Sequence, residues 1–264
     1  MRIKPFTNSS PEMNDPIPPK IAVIAGVGSG LGAALARRFA REGCQVALLA
    51  RSIEYIEALE LELNGKYGSG VAHAIECDLA DAQQISIAFA KIRKEVGPVD
   101  LLVNHASAGG GPRGSGLIDL DPANFERAWR VGVYGALLCS REVARDMLSA
   151  NRNGAGGTMI FTGATSSVRG ASIAFSSAKF ASRGLAQAMA RELWPQGIHV
   201  AHVVIDGIIG ETEEQIPAGV PKNDPEMHPD AIADVYWQLV RQERSAWTLE
   251  LTFAGRERKG VSPD

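Results

Sequence analysis

The feature that most constrains this sequence is a glycine-rich turn between an apolar run and an amphipathic segment. The apolar run 21–25 leads directly into four glycines, Gly26, Gly28, Gly30 and Gly32, and apolar residues then recur at steps of three and four. This pattern indicates a strand, a tight turn and a helix. Glycine lets the backbone bend sharply and lets a pyrophosphate approach the N–H groups at the start of the helix. The turn therefore predicts a dinucleotide site, although a tight strand–helix turn also favours glycine for structural reasons alone.

Composition favours one domain and gives no sign of polyanion binding. The chain has 264 residues, of which 45% are hydrophobic, so a single α/β core is the default expectation. A net charge of −3 leaves no basic surface for nucleic acid or for an anionic membrane. No apolar run approaches the roughly 20 residues of a membrane span. The three cysteines lack metal-ligand spacing and are typical of reduced core residues, so we expect a cytoplasmic protein without a metal.

Strand patterns alternate with helical patterns along most of the chain. The expected strands are 21–25, 45–50, 71–76, 99–103, 158–162, 198–205 and 247–253. This order predicts an α/β fold, a Rossmann-type doubly wound parallel sheet of about seven strands with helices on both faces, in a single domain. Residues 1–19 hold five prolines and are expected to form a flexible arm before the domain at 20–264. The segment 208–229 is rich in Glu, Pro and Gly, and we expect it to form a substrate lid.

The end of the second strand pattern bears on which dinucleotide is bound. About 20 residues beyond the glycines, an acidic side chain would accept a hydrogen bond from the ribose 2′-hydroxyl of NAD. This chain has Ala50 there, followed by Arg51 and Ser52. A guanidinium can clamp a 2′-phosphate with paired charged hydrogen bonds. The alternative is a solvated arginine at a strand end. The sequence therefore favours NADP over NAD.

The spacing of Gly26, Gly30 and Gly32 resembles the Gly-x-x-x-Gly-x-Gly turn of the short-chain dehydrogenase/reductase family, although Ala25 stands where that family usually has Thr. The resemblance extends from residue 20 to about 253 and includes 104–107, which is similar to the family's Asn-Asn-Ala-Gly motif. It implies that the cofactor is held by Gly26, Ser29, Gly30, Leu31, Arg51, Ser52, Asp78, Leu79, Asn104, Ala106, Lys179, Gly207 and Ile208. It also implies a homodimer or homotetramer formed through the helices at about 121–149 and 176–194.

Two of these positions leave alternatives open. The resemblance places the adenine ring against Asp78 and Leu79, but Asp78 is also suited to cap the next helix. His105 occupies a position where the family usually has Asn. A histidine titrates near neutrality and can act as a general base, whereas a histidine inside a turn is more often a hydrogen-bonding structural residue.

The resemblance fails at the catalytic positions. The family uses a Tyr, a Lys four residues later on the same helix face, a Ser and an Asn. Here Phe175 takes the place of the Tyr, while Lys179 is kept. Ala164 stands at the Ser position and Gly132 at the Asn position. One subgroup of the family is similar, with Phe for Tyr and the Lys kept. The candidate catalytic residues are Lys179, Phe175 and the nearby Ser167.

Two functions are compatible with this pattern. In the first, the protein is an NADP(H)-binding oxidoreductase that acts on an unknown small carbonyl or alcohol substrate with a degraded catalytic tetrad. Substitute proton donors would come from Ser166, Ser167, Ser176, Tyr134 or Lys179. In the second, it is a non-catalytic nucleotide-binding or assembly protein, a pseudoenzyme on the same scaffold. A hydrolase is disfavoured: Ser166, His199 or His202 and Asp206 have suitable side chains, but no Gly-x-Ser-x-Gly elbow precedes a helix.

Overall fold

A computed structural model describes residues 20–108, 116–150, 156–210 and 226–254. The strands are β1 Ile21–Ala25, β2 Gln45–Ala50, β3 Ala72–Glu76, β4 Leu101–Asn104, β5 Gly157–Thr162, β6 Ile198–Asp206, β7 Ile208–Ile209, β8 Glu226–Met227 and β9 Glu250–Ala254. The α-helices are α1 Leu31–Arg41, α2 Ile53–Tyr67, α3 Ala82–Glu95, α4 Pro122–Trp129, α5 Ala136–Ala150, α6 Ile173–Leu193 and α7 Pro229–Val240. The predicted arm at 1–19 lies outside the described residues.

Seven of the strands form one parallel sheet in the order β3-β2-β1-β4-β5-β6-β9. Apolar side chains on one face of the sheet pack against α1, α2 and α7, and those on the other face pack against α3, α5 and α6. Strands buried on both faces are apolar along their whole length, which is why their sequences read as continuous hydrophobic runs. The predicted doubly wound α/β fold is confirmed. Among the helices in the described ranges, none has the length and hydrophobicity that a membrane crossing requires.

The helix predicted at 121–149 is interrupted. Between α4 and α5 the chain forms a π-helix at Arg130–Gly135. At Gly135 this wide turn passes close to the loop after β3, since an added Cβ would lie 2.2 Å from the carbonyl oxygen of Leu79. Wide turns of this kind are frequent at functional sites. Here the turn brings the start of α5 against the carboxyl end of the sheet.

Near the predicted lid, β7 and β8 form a separate two-stranded parallel sheet. Residues 211–225 of the predicted lid lie outside the described residues. The last strand of the main sheet starts at Glu250 rather than at the predicted residue 247. Trp247 instead stacks on His199, with ring centroids 4.9 Å apart, and meets Trp194 edge to face.

Candidate active site

The glycine turn is built by close contact with the loop after β4. Gly26 has a positive φ of +104°, and a Cβ added there would lie 2.6 Å from the Cα, the Cβ and the backbone nitrogen of Ala106. The N–H groups of Gly26 and Val27 both donate to the carbonyl oxygen of Leu49, each at 2.9 Å. A side chain at residue 26 is therefore excluded both by space and by backbone conformation. The turn leads from β1, at the carboxyl edge of the sheet, through the predicted Ser29 and Gly30 into α1, whose first residue, the predicted Leu31, is buried.

A cavity of about 320 Å³ lies along this edge. It brings together predicted cofactor residues from four separate segments. They are Gly26, Arg51, Ser52, Asp78, Leu79 and Ala106. Its lining also includes His105 and Arg127, to which the resemblance assigns no cofactor contact. A cavity of this size is in the range of small-molecule sites, and it runs from the glycine turn to the end of β2.

Charged side chains line that cavity after the neighbouring strands β2 and β3. Arg51 and Ser52 are exposed at the end of β2. Asp78 follows β3, and its Oδ1 accepts a hydrogen bond from the Ala80 N–H at 3.0 Å. The next helix, α3, is capped by Asp81 instead, whose Oδ1 accepts from the N–H groups of residues 83 and 84. Asp78 therefore does not cap α3, and that alternative from the sequence was wrong.

A second, smaller cavity of about 10 Å³ lies deeper, between β4, the π-helix and α6. This is the volume of about one water molecule. Asn104, Gly132 and Lys179 contribute to its lining. The Nδ2 of Asn104 donates to the Ser140 hydroxyl at 3.1 Å, and its buried Oδ1 has no hydrogen-bond partner within the described ranges. The polar atoms and the volume fit a buried water molecule.

Lys179 is buried beside this cavity, with 7% of its surface exposed. Its Nζ donates to the carbonyl oxygen of Thr162 at 2.7 Å and lies 5.5 Å from the centre of the Phe175 ring. Burial lowers the pKa of Lys179 from 10.5 to about 8. The ammonium is therefore charged at pH 7 but close to the point at which it releases a proton.

Neither neighbouring family position supplies a polar side chain. Ala164 is half-buried in the loop after β5. At Gly132 an added Cβ would meet only the Cβ of Ala178, at an ordinary contact distance of 3.8 Å. A Cβ at residue 132 would therefore fit without displacing a neighbouring atom. The structure therefore has the amine of Lys179 that the family uses, but Phe175 provides an aromatic ring without the hydroxyl of the family's Tyr.

His105 belongs to a hydrogen-bonded chain that the sequence did not indicate. Its Nδ1 lies 3.3 Å from the hydroxyl of Thr162, which lies 2.9 Å from the hydroxyl of Tyr236 on α7. Burial, and then the positive charge of Lys179, lower the pKa of His105 to about 4. The imidazole is neutral at pH 7. This geometry agrees with the structural alternative, in which the histidine is a hydrogen-bonding residue of the turn.

The candidate serines face the interior. The hydroxyl of Ser167 accepts a hydrogen bond from the Ala164 N–H at 3.1 Å, and the residue is completely buried. The hydroxyl of Ser176 likewise accepts from the Ala171 N–H at 2.8 Å. Tyr134 points outward, with 45% of its surface exposed. Catalytic roles for Lys179 and Ser167 stay predictions.

Asp206 is the last residue of β6, and its carboxylate connects two loops at the sheet edge. Its carboxylate accepts hydrogen bonds from the Thr165 hydroxyl and from Arg169, the latter at 3.0 Å. Thr165 directly follows Ala164, so the loop after β5 is tied to the loop that carries the predicted Gly207 and Ile208. The sequence did not predict these hydrogen bonds, because Asp206 and its two partners lie about 40 positions apart.

The side chains of the disfavoured hydrolase hypothesis have other partners. His202 bonds to the carboxylate of Glu250 at 3.0 Å, and Arg183 makes two further bonds to that carboxylate, at 2.6 and 2.7 Å. His199 bonds to the Thr248 carbonyl at 2.9 Å. Both histidines are almost completely buried. They serve the packing of β6 against β9. No group of three or more His, Cys, Asp or Glu side chains within the described ranges is arranged to hold a metal.

Comparison with known proteins identifies the family. Residues 20–218 match the model of the short chain dehydrogenase family. The chain is 34% identical over 198 residues to D-xylose 1-dehydrogenase of Caulobacter vibrioides, a match that covers 74% of this chain and 75% of that protein. It is 33% identical over 199 residues to the uncharacterized oxidoreductase YuxG of Bacillus subtilis, and this match covers 72% of this chain but only 27% of that protein.

A solved structure agrees with these matches. A metagenomic short-chain oxidoreductase in complex with NADP superimposes with a TM-score of 0.75 and 26% identity, over 90% of this chain and 98% of that one. The glycine turn, the sheet order and the cavity at the carboxyl edge are consistent with this likeness. The chain belongs to the short-chain dehydrogenase family of oxidoreductases.

Proposed function

We propose that this protein is an NADP(H)-dependent oxidoreductase that acts on a small carbonyl or alcohol substrate with reduced acid–base assistance. The observation that supports this most strongly is the cavity of about 320 Å³, which gathers the glycine turn, Arg51 and Asp78 at the carboxyl edge of the sheet. Lys179 lies buried beyond its inner end. The residues fit a dinucleotide, because the glycine turn leads into the N-terminus of α1, where the first backbone N–H groups of a helix have no helical partner and can bind a pyrophosphate.

The preference for NADP rests on Arg51. Its guanidinium is exposed at the rim where the adenosine ribose would lie, and the neighbouring Ser52 offers a hydroxyl. An arginine suits a 2′-phosphate, whereas NAD would be favoured by a carboxylate at this place. Solved relatives have been obtained with NADP and with NADH. The family alone therefore leaves the choice open, and the local charge decides it in our proposal.

The bound nicotinamide would supply or accept a hydride. The residues of this chain would bind and orient the substrate and the cofactor, and would transfer one proton. Lys179 would donate hydrogen bonds to ribose hydroxyls. With a pKa of about 8 it can also hold or release a proton near neutral pH. Phe175 keeps the ring packing but has no transferable proton. We place the chain in the subgroup of the family with Phe for Tyr, and expect loss of acid–base help to reduce its rate by about 10²–10⁴-fold.

Two further expectations belong to this proposal. Trp129, Tyr134 and Phe180, on α4, the π-helix and α6, are 38%, 45% and 43% exposed. Large apolar side chains grouped on one set of helices are typical of a subunit interface, so we propose a homodimer or homotetramer through this face. Light scattering should show that Phe180→Glu reduces the molar mass.

Cys44, Cys77 and Cys139 are buried and form no disulfide, which favours a reducing, cytoplasmic location.

The first test is calorimetric titration of the full chain with NADPH, NADP, NADH and NAD. We expect NADPH to bind at least tenfold more tightly than NADH, and Arg51→Gln to remove most of that difference while leaving NADH binding unchanged. If none of the four nucleotides binds, the proposal is wrong. Equal affinities for NADPH and NADH would contradict the role of Arg51 alone.

The second test separates a weak enzyme from the alternative, a non-catalytic nucleotide-binding protein. Because a relative acts on D-xylose according to its name, aldoses and polyols form the first substrate panel. Phe175→Tyr should raise the rate of hydride transfer, and Ala164→Ser with Gly132→Asn should raise it further, since a Cβ at residue 132 lies no closer than 3.8 Å to its nearest neighbour. Turnover by the unaltered protein would support the enzyme. Turnover that appears only after these substitutions would support the pseudoenzyme.

A further inference from the structure

Arg127 lines the cavity of about 320 Å³, although no sequence pattern assigns it a role. It is on α4 and lines the cavity together with residues of the loop after β3. Its Nη2 is 3.5 Å from Oδ2 of Asp78, and the two side chains are 43% and 29% exposed. This contact joins two segments that are 49 positions apart, across the end of the cavity where Asp78 would meet the adenine ring.

The carboxylate of Asp78 is fixed in an orientation that leaves one oxygen for a ligand. The Asp78 N–H donates to Oε1 of Gln84 at 2.8 Å, which anchors the backbone of the loop. Oδ1 accepts from the Ala80 N–H at 3.0 Å. Oδ2 therefore faces Arg127 and the cavity. An anionic oxygen held in this way is suited to accept a hydrogen bond from an amino group.

The arginine, in contrast, is held loosely. Its distance of 3.5 Å from Asp78 exceeds the 2.7–2.9 Å of a well-formed charged hydrogen bond. A guanidinium is planar and stacks on aromatic rings, where the attraction between the cation and the ring contributes about 0.5–2 kcal/mol. The partly exposed Arg127 can therefore move over a flat ligand without breaking a strong bond.

We propose that Arg127 joins Asp78 in a clamp for the adenine ring of the dinucleotide. The family resemblance already places Asp78 against adenine, where its Oδ2 would accept from the exocyclic amine, and the new element is Arg127, whose guanidinium covers one face of the ring. This inference rests on the proposed function, because it needs a bound adenine dinucleotide. It differs from the role of Arg51: the clamp recognises the base, which NADPH and NADH share, whereas Arg51 recognises the 2′-phosphate.

Arg130 provides a matched control. It lies one turn further along the same helical segment, and its Nε donates to Oε1 of Glu126 at 2.7 Å. It is exposed and is absent from the lining of the cavity. Arg130→Gln therefore removes the same charge from the same region without removing a group from the cavity.

The experiment is calorimetric titration of the full chain and its variants with NADPH and NADH, with thermal unfolding recorded for each variant. Arg127→Gln should weaken the binding of both nucleotides by the same factor, about two- to thirty-fold. Arg127→Lys should recover little of the loss, since an ammonium keeps the charge without the planar face. Arg130→Gln should change neither affinity by more than about twofold, and Arg51→Gln should affect NADPH alone.

Each outcome is decisive. If Arg127→Gln binds both nucleotides as tightly as the unaltered chain, the clamp is wrong while the proposed function stands. If its loss is confined to NADPH, Arg127 recognises the 2′-phosphate and the adenine assignment is overturned. If Arg127→Lys restores the full affinity, the positive charge alone accounts for the effect, and the proposed stacking of the guanidinium on adenine is overturned. Failure of the unaltered chain to bind either nucleotide would overturn the proposed function, and the clamp with it.

Discussion

Replacing Lys179 with Met should change how the stability of the protein depends on pH. Burial lowers the pKa of Lys179 from 10.5 to about 8 in the folded state. The unfolded chain therefore binds the proton more strongly. Below pH 8 the folded protein bears the full free-energy cost of a buried charge, and this cost falls as the pH rises through 8 towards 10.5. The free energy of unfolding should rise with pH relative to a variant without the amine.

The size of the effect follows from these two pKa values. With 1.36 kcal/mol for each pKa unit, the lysine contributes a relative gain of about 2 kcal/mol between pH 7 and pH 9.5. The variant also loses the hydrogen bond to the Thr162 carbonyl, worth about 1 kcal/mol for a neutral amine at every pH, and the extra strength of this bond in the charged form is already contained in the pKa. Only the pH-dependent difference between the two proteins therefore reports on the buried charge.

The assay is urea denaturation followed by tryptophan fluorescence at pH 7, 8, 9 and 9.5, at constant ionic strength. The difference in unfolding free energy between the unaltered chain and Lys179→Met should shift by about 2 kcal/mol in favour of the unaltered chain. Lys91→Met removes an exposed lysine and controls for the loss of one positive charge. A difference that stays constant within about 0.5 kcal/mol would refute the depressed pKa and the burial argument behind it.

Two further substitutions test the geometry around the cavity. Gly26→Ala should lower the melting temperature and abolish NADPH binding, because its Cβ would lie 2.6 Å from Ala106, whereas Gly28→Ala should fold normally because a Cβ there meets nothing within 4 Å; equal melting temperatures for the two variants would contradict this. Glu250→Gln should lower the unfolding free energy in urea by about 1–3 kcal/mol, since it weakens both bonds to Arg183. A change below about 0.5 kcal/mol would show that those bonds contribute little.

The fold was predictable because its main signals are local. Continuous apolar runs such as Ile21–Ala25 identify strands buried on both faces, and alternation with helical patterns identifies a parallel sheet. The glycine turn also indicated the edge of the sheet at which the cavity of about 320 Å³ lies. The bounds of several elements were less accurate, because a strand begins where pairing begins. Trp247 is apolar enough to extend β9, but it packs on His199 instead.

The parts of the site that could not be predicted depend on contacts between distant residues. Nothing near Arg127 in the sequence indicates that it meets Asp78, and nothing near Tyr236 indicates that it meets Thr162. The π-helix was also missed, because its sequence continues a helical pattern and the wide turn is seen only where Gly135 passes the loop after β3. Such features follow from packing rather than from local preference.

The burial of Lys179 bears on whether this site binds a ligand or is only a remnant of the family's site. Its described partners are the Thr162 carbonyl and the face of Phe175, and no carboxylate within the described ranges lies at ion-pair distance from it. A buried ammonium with so few partners destabilises the fold, so packing alone would favour an apolar side chain.

A ligand that accepts hydrogen bonds from this amine should therefore stabilise the charged form and raise its pKa. If ribose hydroxyls are that ligand, NADPH binding at pH 9 should be accompanied by proton uptake, because an amine that is mostly neutral in the free protein becomes charged in the complex. Calorimetry in two buffers of different ionisation enthalpy measures this uptake, and Lys179→Met should remove it. Binding without proton uptake at pH 9 would place the cofactor away from Lys179 and leave the buried charge without a function.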